Sequence, residues 1–364
     1  MRVLLDTTYG RRGPSGTGVY LERLAPALRD EGVDVVEVAN ERRPEPAGGG
    51  AGSARNLALD TWWTQVELPR RAKAARADVL HHPLPAFAQR SPCPQVVTLH
   101  DLAFERLPEH FAPSFRRWAS RSHRRAARRA DATVCVSETT RLDALARWGL
   151  DAGRIVVAPH GPGQDLPVTT VAPRHFLYIG DDEPRKNLDL LLDGYARYRA
   201  AAGTAAALDL VLAGRTRGAR AGLLPQGVRR RPEPDLAALL GAAAALVHPS
   251  LYEGFGLTAL EAMSAGVAVL AARAPGIVET CGDAARYFDP YDAAGLADLL
   301  GEIATDPVCR QALAQRGRER AATFSWRSSA RSHVAAYTLA TGDEGCDPRH
   351  ARHSRVIQRL RDGR

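Results

Sequence analysis

Short runs of β-branched and leucine residues alternate with helix-length segments along most of the chain, the pattern of a parallel sheet with crossover helices. In the first half the runs fall at Arg2–Asp6, Val33–Val38, Val79–His82, Gln95–Leu99, Ala132–Val136 and Ile155–Val157. Helices are predicted at Gly18–Asp30, Pro113–Arg129 and Glu138–Trp148, and the proline- and glycine-rich stretch Glu41–Ser53 reads as a mobile surface loop. After the polar, proline-bearing stretch Gly161–Pro173 the same grammar repeats. Strands are predicted at Phe176–Ile179, Leu208–Ala213, Ala245–His248 and Val267–Ala271, and helices at Asn187–Ala200, Pro234–Ala243, Leu257–Ala265, Ala293–Thr305 and Pro307–Thr323. An amphipathic piece, Trp326–Leu339, follows, and the polar, arginine-rich tail 341–364 is predicted to be disordered. The expected fold class is therefore α/β, with two Rossmann-like doubly wound domains at 1–165 and 174–323. Such sheets bind ligands at the carboxyl ends of their strands, hence in a cleft between the domains.

Composition narrows the class without deciding the function. Among 364 residues, 45% are hydrophobic and 25% charged, values of an ordinary soluble globular protein. The net charge is +8, yet of 49 basic residues only Lys73 and Lys186 are lysine. Arginine excess alongside abundant alanine fits a GC-rich genome better than a nucleic-acid surface. A nucleotide, an acidic acceptor or an anionic lipid surface would suit the charge equally. The 5 cysteines are odd in number, widely spread and lack any C-x-x-C, so a reducing compartment is expected and a disulfide framework or structural zinc is not. No apolar leader segment is visible, and the longest apolar runs, such as Leu239–Val247, fall short of the roughly 20 residues of a spanning helix. The expected location is cytoplasmic, or peripheral to the inner face of a membrane.

Four segments carry candidate chemistry. Arg12-Gly13-Pro14-Ser15-Gly16-Thr17-Gly18-Val19-Tyr20 stands directly after the first strand and directly before a helix, where glycines admit a ligand to the backbone and N–H groups favour an anion. An ordinary tight strand-to-helix loop would read the same. His100-Asp101 lies just beyond an apolar strand, placing an imidazole at the cleft edge to share a proton or donate to a substrate oxygen, with Asp101 as its orienting partner or as a helix cap. His81-His82 after the previous strand carries the same ambiguity. Arg185-Lys186-Asn187 stands at a helix start, a position that opposes the dipole and calls for an anion such as a diphosphate. The most specific segment runs from His248 to Gly266. Glu253 lies in a loop, Gly254 and Gly256 form a tight turn with Phe255 between them, and Leu257 opens a helix that carries Glu261 one turn in. One carboxylate can then reach a sugar ring while the other accepts from a ribose, with the helix N-terminus holding phosphate.

The Glu-Gly-Phe-Gly-Leu-x-x-x-Glu run, preceded in family order by the glycine loop, His-Asp and Arg-Lys-Asn, resembles the family-4 retaining glycosyltransferases of the GT-B fold, over nearly the whole chain to about Tyr337. The resemblance implies an N-terminal acceptor domain at 1–165, a nucleotide-sugar domain at 174–323, and a helix at 324–340 crossing back to the first. It implies that Arg185 and Lys186 bind the donor diphosphate, that Glu253 contacts the donor sugar, and that amides around Gly254, Phe255, Gly256 and Leu257 touch sugar and phosphates. Glu261 would hold the ribose, Gly16 and Gly18 would lie against the diphosphate, and His100 would hydrogen-bond the sugar near the reacting centre.

The implied reaction moves a hexose from a nucleotide-diphosphate sugar, preferably of the GDP-mannose type, to a hydroxyl of a glycan, lipid-linked or small-molecule acceptor, with retention. No cofactor is expected. No metal is expected either, since no D-x-D occurs in the chain. Rival readings are a GT-B sugar-nucleotide epimerase, a phosphorylase, for whose Schiff base two lysines leave little room, and a non-enzymatic basic RNA- or membrane-binding protein. The best residues for the last are Arg116, Arg117, Arg121, Arg124, Arg125, Arg128 and Arg129 on the 113–130 helix, beside a less polar stripe of Phe115, Trp118, Ser122 and Ala126. That helix would rest on anionic lipid, or be a solvated basic face packed on its sheet; nucleic acid is not an expected partner.

Overall fold

A computed structural model describes residues 1–11, 15–42, 51–164, 172–203, 206–214, 224–232 and 234–342. They form two wholly parallel six-stranded sheets, each with helices on both faces. The N-terminal sheet holds β1 (Arg2–Asp6), β2 (Asp34–Val38), β3 (Val79–His82), β4 (Gln95–Leu99), β5 (Ala132–Cys135) and β6 (Ile155–Val157), in spatial order β2-β1-β3-β4-β5-β6. The C-terminal sheet holds β7 (His175–Ile179), β8 (Asp209–Ala213), β9 (Val228–Arg231), β10 (Ala243–His248), β11 (Ala268–Ala272) and β12 (Arg286–Phe288), in order β12-β11-β10-β7-β8-β9. The inner strands are continuous apolar runs because helices cover both faces, so no residue can be spared for solvent. Strand order reverses between β1 and β3 in one sheet and between β7 and β10 in the other, and a crevice opens beyond the strand ends at each reversal.

The structure departs from the sequence reading in specific places. β9 and β12 were not expected; nor were the helices Ala51–Trp62, Leu68–Ala75 and Pro275–Cys281. The helix expected at Pro234–Ala243 spans only Leu236–Gly241, and Ala243 already belongs to β10. The first helix begins at Gly16, not Gly18, because the Ser15 side chain accepts from the Gly18 N–H and closes its first turn. Within the expected loop at 41–53, residues 43–50 lie outside the described residues and Ala51 is helical; the expected tail lies outside them from residue 343 onward.

The helix Trp326–Thr341 packs on the N-terminal layer through Ala330, Ala336 and Tyr337, all fully buried. A chain of hydrogen bonds holds it there. The backbone carbonyl of Ser329 can only accept, so His333 donates to it from Nδ1 (2.7 Å). His333 Nε2 must then accept from the Tyr20 hydroxyl (2.8 Å), Tyr20 from the Thr98 hydroxyl (3.0 Å), and Thr98 from His81 Nε2 (2.9 Å). His81 Nδ1 is left to accept from the Tyr337 hydroxyl at 2.8 Å. Every member is buried, every step is satisfied, and the order holds only while both imidazoles are neutral. Burial pushes both below the ordinary imidazole value, which keeps them so at neutral pH. Thus His81 and, through Gln95 at 3.1 Å, His82 are structural.

Candidate active site

The reversal between β7 and β10 places two loops side by side, 180–187 and 249–256, each leading into a helix. Both helices start without a side-chain cap. Leu188–Ala202 follows Asn187 at φ 54°, and Leu257–Ser264 follows Gly256 at φ 98°. Ser15, Ser137, Asp235, Asp292, Asp306 and Ser325 cap their helices, while Leu68–Ala75, Ala103–Arg106, Pro113–Arg129 and Pro275–Cys281 also start uncapped, so it is the place of these two at the sheet's reversal that sets them apart. The uncapped first-turn N–H groups and the positive end of the dipole therefore meet the crevice, an arrangement that favours an anion. Phe255 turns its ring inward against His160 and Phe324, and Leu257 packs on the same apolar core.

Arg185 and Lys186 stand just before a helix start, as expected, the helix Leu188–Ala202 following its cap residue Asn187. They occupy a 3₁₀ turn, Pro184–Lys186, immediately before the Asn187 cap position, so they still face the positive end of the dipole and an anion there would relieve both. Both reach the same carboxylate: Lys186 Nζ lies 2.5 Å from Glu253 Oε1 and Arg185 Nη1 lies 3.3 Å from Glu253 Oε2. Arg185 also meets Glu183 at 3.0 Å. The three side chains of the cluster are only 12–16% exposed. Burial disfavours ionisation of Glu253, but Lys186, Arg185 and His248 outweigh it and hold the carboxyl well below the ordinary carboxylate range. His248 Nε2 is 3.8 Å from that carboxylate, too far for a hydrogen bond.

Glu261 has the opposite environment. Only 4% exposed, it is pushed up by burial to about 7, with Arg23 of the first helix partly offsetting. A Cβ built on Gly163 would lie 2.1 Å from Glu261 Oε1 and 2.8 Å from Val19, so Glu261 reaches the N-terminal layer where only glycine leaves room. Arg23 Nε donates to the Gly163 carbonyl at 2.7 Å. Gly16 has open space around it, with no atom within 4 Å of a built Cβ. Gly18 is the capped position of the same turn, and residues 12–14 lie outside the described residues.

His100 meets the glutamate loop through its backbone. A Cβ on Gly254 would lie 1.7 Å from the His100 carbonyl oxygen, so the two layers touch at this glycine. The His100 ring is held by Nε2 donating to the Pro83 carbonyl at 3.0 Å and packs edge-on to Tyr20 at 4.9 Å. Burial lowers its pKa, against Asp101 and the Pro83 bond, so the ring is neutral at pH 7 with Nδ1 as the acceptor nitrogen. The ring nitrogen that remains for a ligand is therefore an acceptor. Asp101 Oδ1 accepts from Ala103 N at 2.9 Å in a turn ahead of the short helix Ala103–Arg106, whose cap position is Leu102, and does not bond the His100 ring.

The match to known proteins covers both halves. Residues 14–162 match the model described as Glycosyltransferase Family 4, and residues 170–320 that of Glycosyl transferases group 1. The Escherichia coli O-antigen chain mannosyltransferase B is 31% identical over 303 residues, 74% of this chain and 78% of the relative. The chain is a family-4 glycosyltransferase of the GT-B fold. A Mycolicibacterium hassiacum MMP alpha-(1->4)-mannosyltransferase is 32% identical over 245 residues, 63% of this chain and 59% of its own length. Sucrose-phosphate synthase of Thermosynechococcus elongatus superposes with a TM-score of 0.71 at 19% identity, covering 93% of this chain and 98% of that one. HepE of Anabaena, solved with UDP-glucose, gives 0.68 at 17%, covering 93% and 99%. In this glycosyltransferase, sequence reasoning missed Gly163 and Arg23 beside Glu261, and Glu183 beside Arg185. A glycine after the last N-terminal strand was the only signal, and it is indistinguishable from linker glycine without the fold.

The basic helix Pro113–Arg129 buries Ala119, Ala126 and Ala127 and leaves Phe115 and Trp118 43% and 47% exposed. The less polar stripe read from sequence is therefore split: Ala126 turns into the core and the two aromatic rings face out. Arg121, Arg124, Arg125, Arg128 and Arg129 line a surface hollow of about 380 Å³ on the same helix. No helix among the described residues is long and apolar enough to cross a membrane, and no His/Cys/Asp/Glu cluster among them is arranged to hold a metal.

Proposed function

We propose that this chain transfers a hexose from a nucleoside-diphosphate sugar to a hydroxyl of a glycan, lipid-linked or small-molecule acceptor, with retention and without a metal ion. The observation that carries the reading is the buried Arg185–Lys186–Glu253 cluster beside two uncapped helix starts at the sheet's reversal point. The departing diphosphate builds negative charge while the anomeric carbon becomes cationic. Binding of the diphosphate draws Lys186 and Arg185 onto phosphate oxygens and the helix N-termini onto the same charge, as a preorganised anion hole requires. Glu253, freed of part of that pairing, then turns toward the sugar hydroxyls. His100 Nδ1 accepts from a sugar hydroxyl, and Glu261 accepts from the ribose. A GDP-mannose-type donor is favoured; two relatives named as mannosyltransferases support it, and UDP-glucose in HepE supports a nucleotide-sugar donor generally.

The test is a thermal-shift screen with GDP-, UDP-, dTDP- and ADP-sugars, followed by acceptor-dependent release of nucleoside diphosphate in chelator. A ligand well above its Kd raises the melting point. A shift with another nucleotide and none with GDP removes the mannose preference, and donor isomerisation without diphosphate release replaces transfer by epimerisation. Loss of turnover in chelator removes metal independence, and an inverted anomeric signal in product NMR removes retention.

Exposed Phe115 and Trp118 beside the arginine hollow also favour peripheral contact with an anionic membrane, where the rings seat in the interface and guanidinium groups meet lipid phosphate. Co-sedimentation with phosphatidylglycerol but not phosphatidylcholine vesicles, weakened by salt and by Trp118→Ala, is the expected result; equal recovery with both lipids defeats it.

A further inference from the structure

Beside the charged cluster the two layers meet through a second polar contact that the reaction reading does not use. Glu279, on the C-terminal helix Pro275–Cys281, reaches into the N-terminal layer. Its Oε1 accepts from Glu138 N at 2.6 Å, and its Oε2 accepts from Thr139 N and the Thr139 hydroxyl, both at 2.7 Å. These are the first N–H groups of the helix Glu138–Asp143, so a carboxylate from one layer completes a helix start in the other. The same helix returns the contact. The Ser137 hydroxyl donates to the Gly254 carbonyl at 2.5 Å, and Asp143 Oδ2 accepts from the Tyr252 hydroxyl at 2.8 Å. Asp143 Oδ1 is held by Arg106 at 2.7 Å, so the acceptor is itself fixed.

Glu253 is thus bracketed: its neighbours on both sides, Tyr252 and Gly254, are bonded to the N-terminal layer, while its own carboxylate turns to Lys186 and Arg185. Helix Pro275–Cys281 closes the bracket from behind, since a Cβ on Gly276 would lie 2.0 Å from the Glu253 carbonyl oxygen. Ser137 and Tyr252 are buried, so these bonds do not exchange freely with water. We propose that Glu279 and Tyr252 are positioning residues: they register the Glu253 loop against the layer that carries His100, so that both groups address one sugar at fixed spacing. The proposal rests on the glycosyl-transfer reading.

Tyr252→Phe and Glu279→Gln, made singly and together, test it. Each removes one charge-assisted or buried bond, and a tenfold loss of kcat is expected from each, with the Kd for nucleoside diphosphate changed less than about threefold. Because both act on one loop, the double variant should lose far less than the product of the single losses. Glu279→Asp should recover part of the loss. If Tyr252→Phe does not fold, Thr139→Val, which deletes only the hydroxyl bond to Glu279, must show the same separation of kcat from Kd. Unchanged kcat in the single variants, losses that multiply, or a Kd that weakens in step with kcat overturns the proposal. Native protein that binds no nucleoside diphosphate and turns over no donor overturns the transfer reading instead, and this proposal with it.

Discussion

Two buried polar clusters lie in the middle of this molecule, one in each layer, and they are built on opposite plans. The N-terminal cluster, Tyr337–His81–Thr98–Tyr20–His333, is uncharged, and each hydroxyl and ring nitrogen in it is spoken for. The C-terminal cluster holds three charges, Glu253 between Lys186 and Arg185, beside helix ends that lack side-chain caps. A saturated neutral network gives up nothing when it stays closed and gains nothing from a ligand; its worth is in fixing one arrangement of helix on sheet. A charged cluster beside unsatisfied N–H groups has partners to exchange, and an incoming anion gives it a reason to do so. Burial of polar groups alone therefore does not mark a site. Charge together with unfilled hydrogen-bonding capacity does.

The contrast can be broken most sharply at Lys186. Lys186→Ala should cut turnover by about 100-fold or more, the loss typical of one electrostatic donor to a leaving group, while steady-state kinetics and melting show a folded protein. Next, acid should tell on the neutral cluster, as on the other buried histidines, His248 of the charged cluster included. His333 is pushed down to about 4 and His81 lies well below its ordinary 6.5. Between pH 6.5 and 4 the unfolded chain binds protons that the folded one refuses, so stability falls as pH falls, by about 1.4 kcal/mol per unit for each such histidine. Urea midpoints at pH 7 and 5.5 check this; a flat profile would show the rings already charged.

Tyr20→Phe should lower stability by about 1–3 kcal/mol by orphaning Thr98 and His333, with kcat per folded molecule changed little. An equal loss of kcat would couple the relay to His100, which packs on the Tyr20 ring. The smallest expected effect is at Glu261. With its pKa near 7, affinity for nucleoside diphosphate should rise about two- to threefold from pH 6 to 8 as the carboxylate gains full acceptor strength, and Glu261→Gln should flatten the profile. Isothermal titration at the two pH values measures it.

Much of the fold was legible because burial on both faces forces inner strands into uninterrupted apolar runs, as at Gln95–Leu99 and Ala268–Ala272. The two missed strands both lie on sheet edges. Val228-Arg-Arg-Arg231 is charged as an edge should be, and Arg286–Phe288 is too short to carry a period. The helices on either side of Trp63–Glu67 were missed because Pro69 and the polar, tryptophan-rich run around it hide a wide helical turn. At the site, residue types and order were readable, since loops after strand ends have a fixed place in such folds. Pairings were not: that Lys186 and Arg185 converge on Glu253, or that His100 donates rather than accepts at Nε2, depends on atoms brought together from distant parts of the chain.

Gly254 acts as a spacer of zero thickness between the two halves. With 1.7 Å between a built Cβ and the His100 carbonyl oxygen, a single methyl group there cannot be absorbed by a flexible side chain, because the obstacle is backbone. Gly254→Ala would leave each half free to fold by its own rules and would act as a wedge only when the halves join. Such a chain would keep most of its circular dichroism while the packing shared across the seam, Val136 and His160 against Phe255 and its neighbours, loosened, its solution dimensions grew and its turnover fell, a defect of assembly within one polypeptide.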